Sequence, residues 1–145
     1  MTNTRKLSLV AGFFAATVAV LAGCQSMGMA GSQQVALSGA NEVPPVTTSA
    51  TGTATVTIKD DRSVVVAVTV SGMTPTASHI HIGAAGTNGP VIVPFTKTGD
   101  NTFASPPDAK LTVEQYAAYK AGNLYVNVHS AKNPPGEIRG QIKGN

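Results

Sequence analysis

The sequence predicts an all-β domain, a Greek-key β-sandwich or flattened barrel carrying one short helix. Three observations lead there. Apolar and polar residues alternate in short runs, as in Ala54, Val56 and Ile58 against Thr53, Thr55 and Thr57, the period of a half-buried strand. Turn-forming residues, 15 Gly and 9 Pro in 145 residues, interrupt these runs at short intervals. Charged residues make up only 12 % of the chain, while Thr, Val, Ala and Gly are plentiful, which favours strands over helices.

The chain opens on a different pattern. Arg5 and Lys6 precede an apolar run from Leu7 to Val20, followed by Leu21, Ala22, Gly23 and Cys24. A short basic region, a hydrophobic stretch and small residues before a cleavage point describe a secretory signal over residues 1–23. The other reading is an uncleaved anchor, since Leu7 to Gly23 lies near the lower length limit for spanning a bilayer. Leu-Ala-Gly-Cys resembles the bacterial lipobox, which implies that Cys24 is lipidated and becomes the mature N-terminus. The protein would then partner a membrane through that anchor, held firmly by two kinds of acyl chain. Gln25 stands where many inner-membrane lipoproteins have Asp, and the resemblance implies the outer membrane of the cell envelope, facing periplasm or surface. A lone cysteine excludes an internal disulfide framework. Residues 24–34 are small and polar and read as a tether; Met27 and Met29 within it are soft donors of the kind copper(I) accepts.

Residues 35–145 read as the β domain. Val35 to Ser38 is a short strand stopped by Pro44 and Pro45. Gly52 to Ile58 and the run Val64, Val66, Val68 and Val70 form a hairpin across the charged turn Lys59-Asp60-Asp61-Arg62. Ala77 to Gly83 is a strand holding His79 and His81, and Asn88-Gly89-Pro90 closes the loop after it. Val91 to Phe95 and Thr102 to Ala104 are further strands. Thr112 and Gln115 have capping-box spacing, Leu111 and Tyr116 fall at the positions of a hydrophobic staple, and Gly122 at the C′ position, so one helix lies between them. Leu124 to His129 and Ile138 to Ile142 are the last strands, for a total of seven or eight.

Overall charge excludes a nucleic-acid role. The chain has 10 Lys+Arg and 7 Asp+Glu, and without Arg5 and Lys6 the excess is a single charge, with no basic cluster interleaved with aromatics. The chemistry-bearing residues are the histidines. In a strand alternate side chains share a face, so His79 and His81 point away from Ile80 and Ile82. Parity likewise puts Tyr125, Asn127 and His129 opposite Leu124, Val126 and Val128, and Glu137, Arg139 and Gln141 opposite Ile138 and Ile142. All three histidines are therefore expected on outward faces among polar groups. One reading is a surface patch of hydrogen-bonded residues, with Glu137 against Arg139. The other is a three-imidazole site for one metal ion, copper first and zinc second, formed by His79, His81 and His129. Such ligands need their second nitrogens held by a carbonyl, carboxylate or water. Glu42 and Glu137 are the first carboxylates to consider, and Met73 is a weaker axial candidate. A site of neutral imidazoles is expected to weaken below about pH 6.

The residues Leu37-Ser38-Gly39-Ala40-Asn41-Glu42-Val43-Pro44-Pro45, Ser78-His79-Ile80-His81, Asn88-Gly89-Pro90-Val91, Leu124 to Ser130 and Pro135-Gly136-Glu137-Ile138-Arg139-Gly140-Gln141-Ile142 resemble the CHRD domain family. The resemblance covers 35–144 and implies an immunoglobulin-like β-sandwich with little settled biochemistry. A looser similarity is to the copper/zinc superoxide dismutase barrel, where a His-x-His strand and a later histidine bind copper. That enzyme's bridging histidine and zinc ligands have no counterpart here, which argues against dismutase activity but leaves a single copper site. Three functions follow: a metal-binding envelope protein that buffers, delivers or senses the ion, a non-enzymatic adhesion or interaction module, and an enzyme. For the last, no nucleophile–base pair or paired carboxylates stand out, and no catalytic residue is assigned.

Overall fold

A computed structural model describes residues 31–145. The leader, Cys24 and most of the tether lie outside the described residues. Nine strands and one helix follow in order: β1 (Gln33–Ser38), β2 (Thr51–Ile58), β3 (Val64–Ser71), β4 (Pro75–Ile82), β5 (Val91–Pro94), β6 (Thr96–Gly99), β7 (Thr102–Ala104), α1 (Val113–Lys120), β8 (Leu124–Ser130) and β9 (Ile138–Ile142). They form one antiparallel sheet in the order β5-β4-β8-β9-β1-β2-β3-β7-β6, which curls into a nearly closed flattened barrel. Among the described residues no helix is long and apolar enough to cross a membrane.

The β2–β3 hairpin forms as its alternation predicts. Its register runs from Thr51 opposite Ser71 to Ile58 opposite Val64. Ala54, Val56 and Ile58 of β2 and Val64, Val66, Val68 and Val70 of β3 are all buried, and Arg62 takes a positive φ of 71° to close the turn. The helix is capped as its spacing predicts: Gln115 N donates to Thr112 Oγ1 at 3.2 Å, and Thr112 N donates to Gln115 Oε1 at 2.9 Å. Gly122 follows with a φ of 75°, a conformation natural to glycine at a helix end.

Several bounds differ from expectation, among them β4, which begins at Pro75 rather than Ala77. β1 begins at Gln33 rather than Val35, because Gln33 exchanges hydrogen bonds with Lys143 at 2.9 Å in each direction. β5 ends at Pro94, the proline expected to stop it, and a separate, unexpected strand β6 follows. It escaped notice because Thr96-Lys97-Thr98-Gly99 is exposed throughout and carries no apolar alternation. A lysine-bearing polar strand is what an edge position tolerates.

The largest correction concerns the second face of the sheet. Parity was right about which residues share it, but the face is not open to water. Tyr125, Asn127, Glu137 and Arg139 are all buried. Loops from between β1 and β2, β4 and β5, and β8 and β9 fold over β4, β8 and β9. Hydrogen bonds tie them down: Asn88 Nδ2 to Val43 O at 2.7 Å, Asn41 Nδ2 to Arg139 O at 3.1 Å, Gln141 Nε2 to Gly83 O at 2.9 Å, and Thr48 Oγ1 to Glu137 Oε1 at 2.7 Å. The molecule thus has an apolar core on one side of these strands and a buried polar layer on the other. The histidines stand at the edge of that layer.

Candidate metal centre

Strand pairing brings the histidines together. β4 and β8 are antiparallel neighbours with His79 opposite Asn127, His81 opposite Tyr125 and Ala77 opposite His129. His129 is therefore diagonal to His79, a position from which a ring can reach its neighbour, and Ala77 leaves room for it. The ring centroids lie 4.9 Å apart for His79 and His129, 5.6 Å for His79 and His81, and 6.0 Å for His81 and His129.

Hydrogen bonds set the direction of each ring. His81 Nδ1 lies 2.9 Å from Gly89 O, and His129 Nδ1 lies 2.8 Å from Pro134 O. A carbonyl only accepts, so both Nδ1 atoms carry the proton and both Nε2 atoms present lone pairs. His79 Nδ1 is 3.0 Å from His129 Nε2 and donates to it. His81 Nε2 is buried with no hydrogen-bond partner. An orphaned buried acceptor is rare in folded proteins and calls for an explanation.

One potential ligand nitrogen from each histidine falls within 4.8 Å of the others. Nitrogens sharing one ion at bond lengths of about 2.0–2.1 Å stand no more than about 4.2 Å apart. The widest pair must therefore close by at least about 0.6 Å, and by about 1.4 Å for tetrahedral ligation, through rotation of the rings. Burial also favours the uncharged form of the two rings on β4. His79 is pushed down to about 4 by burial and by its two neighbouring imidazoles, and burial lowers His81 as well. Neutral imidazole is the form that binds metal.

The carboxylates named from the sequence do other work. Glu42 Oε1 accepts from Asn127 Nδ2 at 2.6 Å. Glu137 accepts hydroxyls from Thr48 and Ser130, not the Arg139 guanidinium. The hydrogen bonds found for Glu42 and Glu137 include none to a histidine; backbone carbonyls of the covering loops hold the outer nitrogens instead. Met73 packs against the hydrophobic core, beside a cleft lined by Ser130 and Glu137. Sequence reasoning missed two supports. Tyr125 stacks on His81 at 4.9 Å and 11° between planes, and Gly89 brings its carbonyl close to His81. A Cβ on Gly89 would overlap the Ile82 carbonyl, so only glycine fits that approach.

The class is now defined: a curled antiparallel β domain with a polar, loop-covered face and three convergent imidazoles at its edge. The family model for the CHRD domain matches residues 33–142, and the chain belongs to that family. No curated protein and no solved structure matches the chain.

Proposed function

We propose that this CHRD-domain protein binds a single copper or zinc ion through His79, His81 and His129, and that it does so from a lipid anchor at Cys24 on the cell envelope. Buffering, delivery or sensing of the ion would follow from such a placement. One observation carries the reading: His81 Nε2 is a buried lone pair with no hydrogen-bond partner, in a cluster of three histidines with potential ligand atoms within 4.8 Å of one another. Copper stands ahead of zinc because an all-imidazole donor set suits it, and binding strength along the divalent series peaks at copper. The anchor rests on Arg5, Lys6, the apolar run and Leu21-Ala22-Gly23-Cys24.

Competitive titration against a chelator tests the metal reading. The parent protein should take up one equivalent of Cu(II). His81→Ala should weaken uptake by more than the roughly 10- to 100-fold typical for loss of an outer-shell partner. Unchanged affinity in all three single His→Ala variants would eliminate it. Metabolic labelling with a fatty acid tests the anchor, with label expected in the parent and absent from Cys24→Ser.

A further inference from the structure

Arg139 is 1 % exposed, the most thoroughly buried charge in the described residues. Its guanidinium carbon lies 3.4 Å from the centre of the Tyr125 ring, which fixes its plane. Three acceptors meet it: Asn88 Oδ1 at 3.3 Å, Ala84 O at 3.2 Å and Gln141 Oε1 at 3.4 Å. All three are neutral, and all are longer than the 2.7–2.9 Å of a charge-assisted bond. A guanidinium has five N–H groups, so these three bonds leave donors over. Among the described residues Arg139 forms no ion pair. A desolvated cation with no ion-pair contact, offset only through space by the partly ionised Glu42, is an unfavourable arrangement for a protein to keep.

Beside this group lies a cleft of about 470 Å³, within the usual size range of small-molecule sites. Ala40, Val43, Pro45 and Ala85 line it together with Arg139 and Gln141. Asn41, Glu42 and Gly86 complete the lining. We propose that this cleft binds a small organic carboxylate, its head group paired with Arg139 and its apolar body against the alanine and proline walls.

The chemistry selects a monoanion with a flat head. One guanidinium balances one negative charge, and its planar fork matches a carboxylate in two parallel hydrogen bonds. A phosphate dianion would bring excess charge toward Glu42, with no second cation lining the cleft. Burial holds Glu42 up to about 7, so near neutrality it carries only part of a carboxylate's charge and repels an incoming anion less than an ordinary glutamate would. The apolar walls disfavour an ion with no carbon body. This reading does not depend on metal: Arg139 stands on β9 and ligates nothing in the histidine cluster, with β8 lying between it and the His81 strand β4.

Benzoate, benzyl alcohol and inorganic phosphate separate the outcomes when added to the full chain in mild detergent at fixed ionic strength. Thermal unfolding is followed by circular dichroism. Benzoate should raise Tm saturably at millimolar concentration, and the other two should not. Ala85→Trp, at an exposed loop position that lines the cleft, should fill the space and weaken the benzoate response by at least about tenfold without unfolding the protein. Arg139→Gln should abolish the response; if that variant fails to fold, Ala85→Trp still decides. No saturable benzoate shift, an equal shift from benzyl alcohol, or a full response in Ala85→Trp would each overturn the proposal.

Discussion

His79 sits between two rings whose outer nitrogens are already committed to carbonyls. In the metal-free protein its Nδ1 proton must point at His129 Nε2, 3.0 Å away. Freeing that nitrogen requires the proton to move to Nε2. Nitrogen-15 NMR of the imidazoles should therefore show His79 as the Nδ1–H tautomer alone and as Nε2–H with zinc, while His81 and His129 remain Nδ1–H in both. A His79 spectrum that zinc leaves unchanged would contradict this assignment.

Two titrating side chains also oppose each other. His79 falls on folding from 6.5 to about 4, so the unfolded chain binds the extra proton between those values. Stability rises with pH across that window. Glu42 rises from 4.5 to about 7 because burial outweighs Arg139's attraction. Here the folded chain binds the extra proton, and stability falls as pH climbs from 4.5 to 7. Glu42→Gln keeps an oxygen for the Asn127 amide and removes the second trend. The variant's stability relative to the parent should grow between pH 4.5 and 7, by on the order of 2 kcal/mol, measured by urea denaturation. A difference flat with pH would show that Glu42 is not held protonated. The same shifts bear on the acid limit expected for metal binding: with His79 held near 4 that ring stays neutral well below pH 6, and burial moves His81 in the same direction.

Among the elements, the loop after β8 carries most of the site's support. It supplies Pro134 O to His129, and Gly136 then passes under the Asn127–Glu42 pair with a φ of 145°. A Cβ there would lie 2.7 Å from Glu42 Oε1 and overlap the Asn127 amide. Gly136→Ala should cost at least about 1–3 kcal/mol from the backbone conformation alone, read in urea melts. The capping box on α1 provides a contrast away from the site. Thr112→Ala should cost about 1 kcal/mol and leave metal affinity unchanged. Elements with a local signature were the legible ones. Capping spacing located the helix, and strict alternation located β2 and β3. β6 had no such signature. Glu42 and Glu137 were misassigned because their partners, Asn127 85 positions away and Thr48 89 positions away, are set by loop docking that strand periodicity does not encode.

For the whole molecule, parity told which residues share a face and could not tell whether loops cover it. Tyr125, Asn127 and Arg139 look solvent-facing by alternation, yet they form a buried polar layer because three loops close over β4, β8 and β9. The meeting of His129 with the His-x-His strand was likewise a matter of sheet order, since β4 pairs β8 across some fifty residues. That pairing turns three scattered histidines into one cluster. A ligand that binds only the folded chain stabilises it, by about 2.7 kcal/mol at a hundred times its Kd. Copper or zinc should accordingly raise Tm in the parent and not in His81→Ala. X-ray absorption of the protein loaded with one copper equivalent examines the central claim most directly. Three imidazole nitrogens at about 2.0 Å, with their outer-ring scattering, are predicted. A shell of oxygen donors, or fewer than three imidazoles, would contradict it.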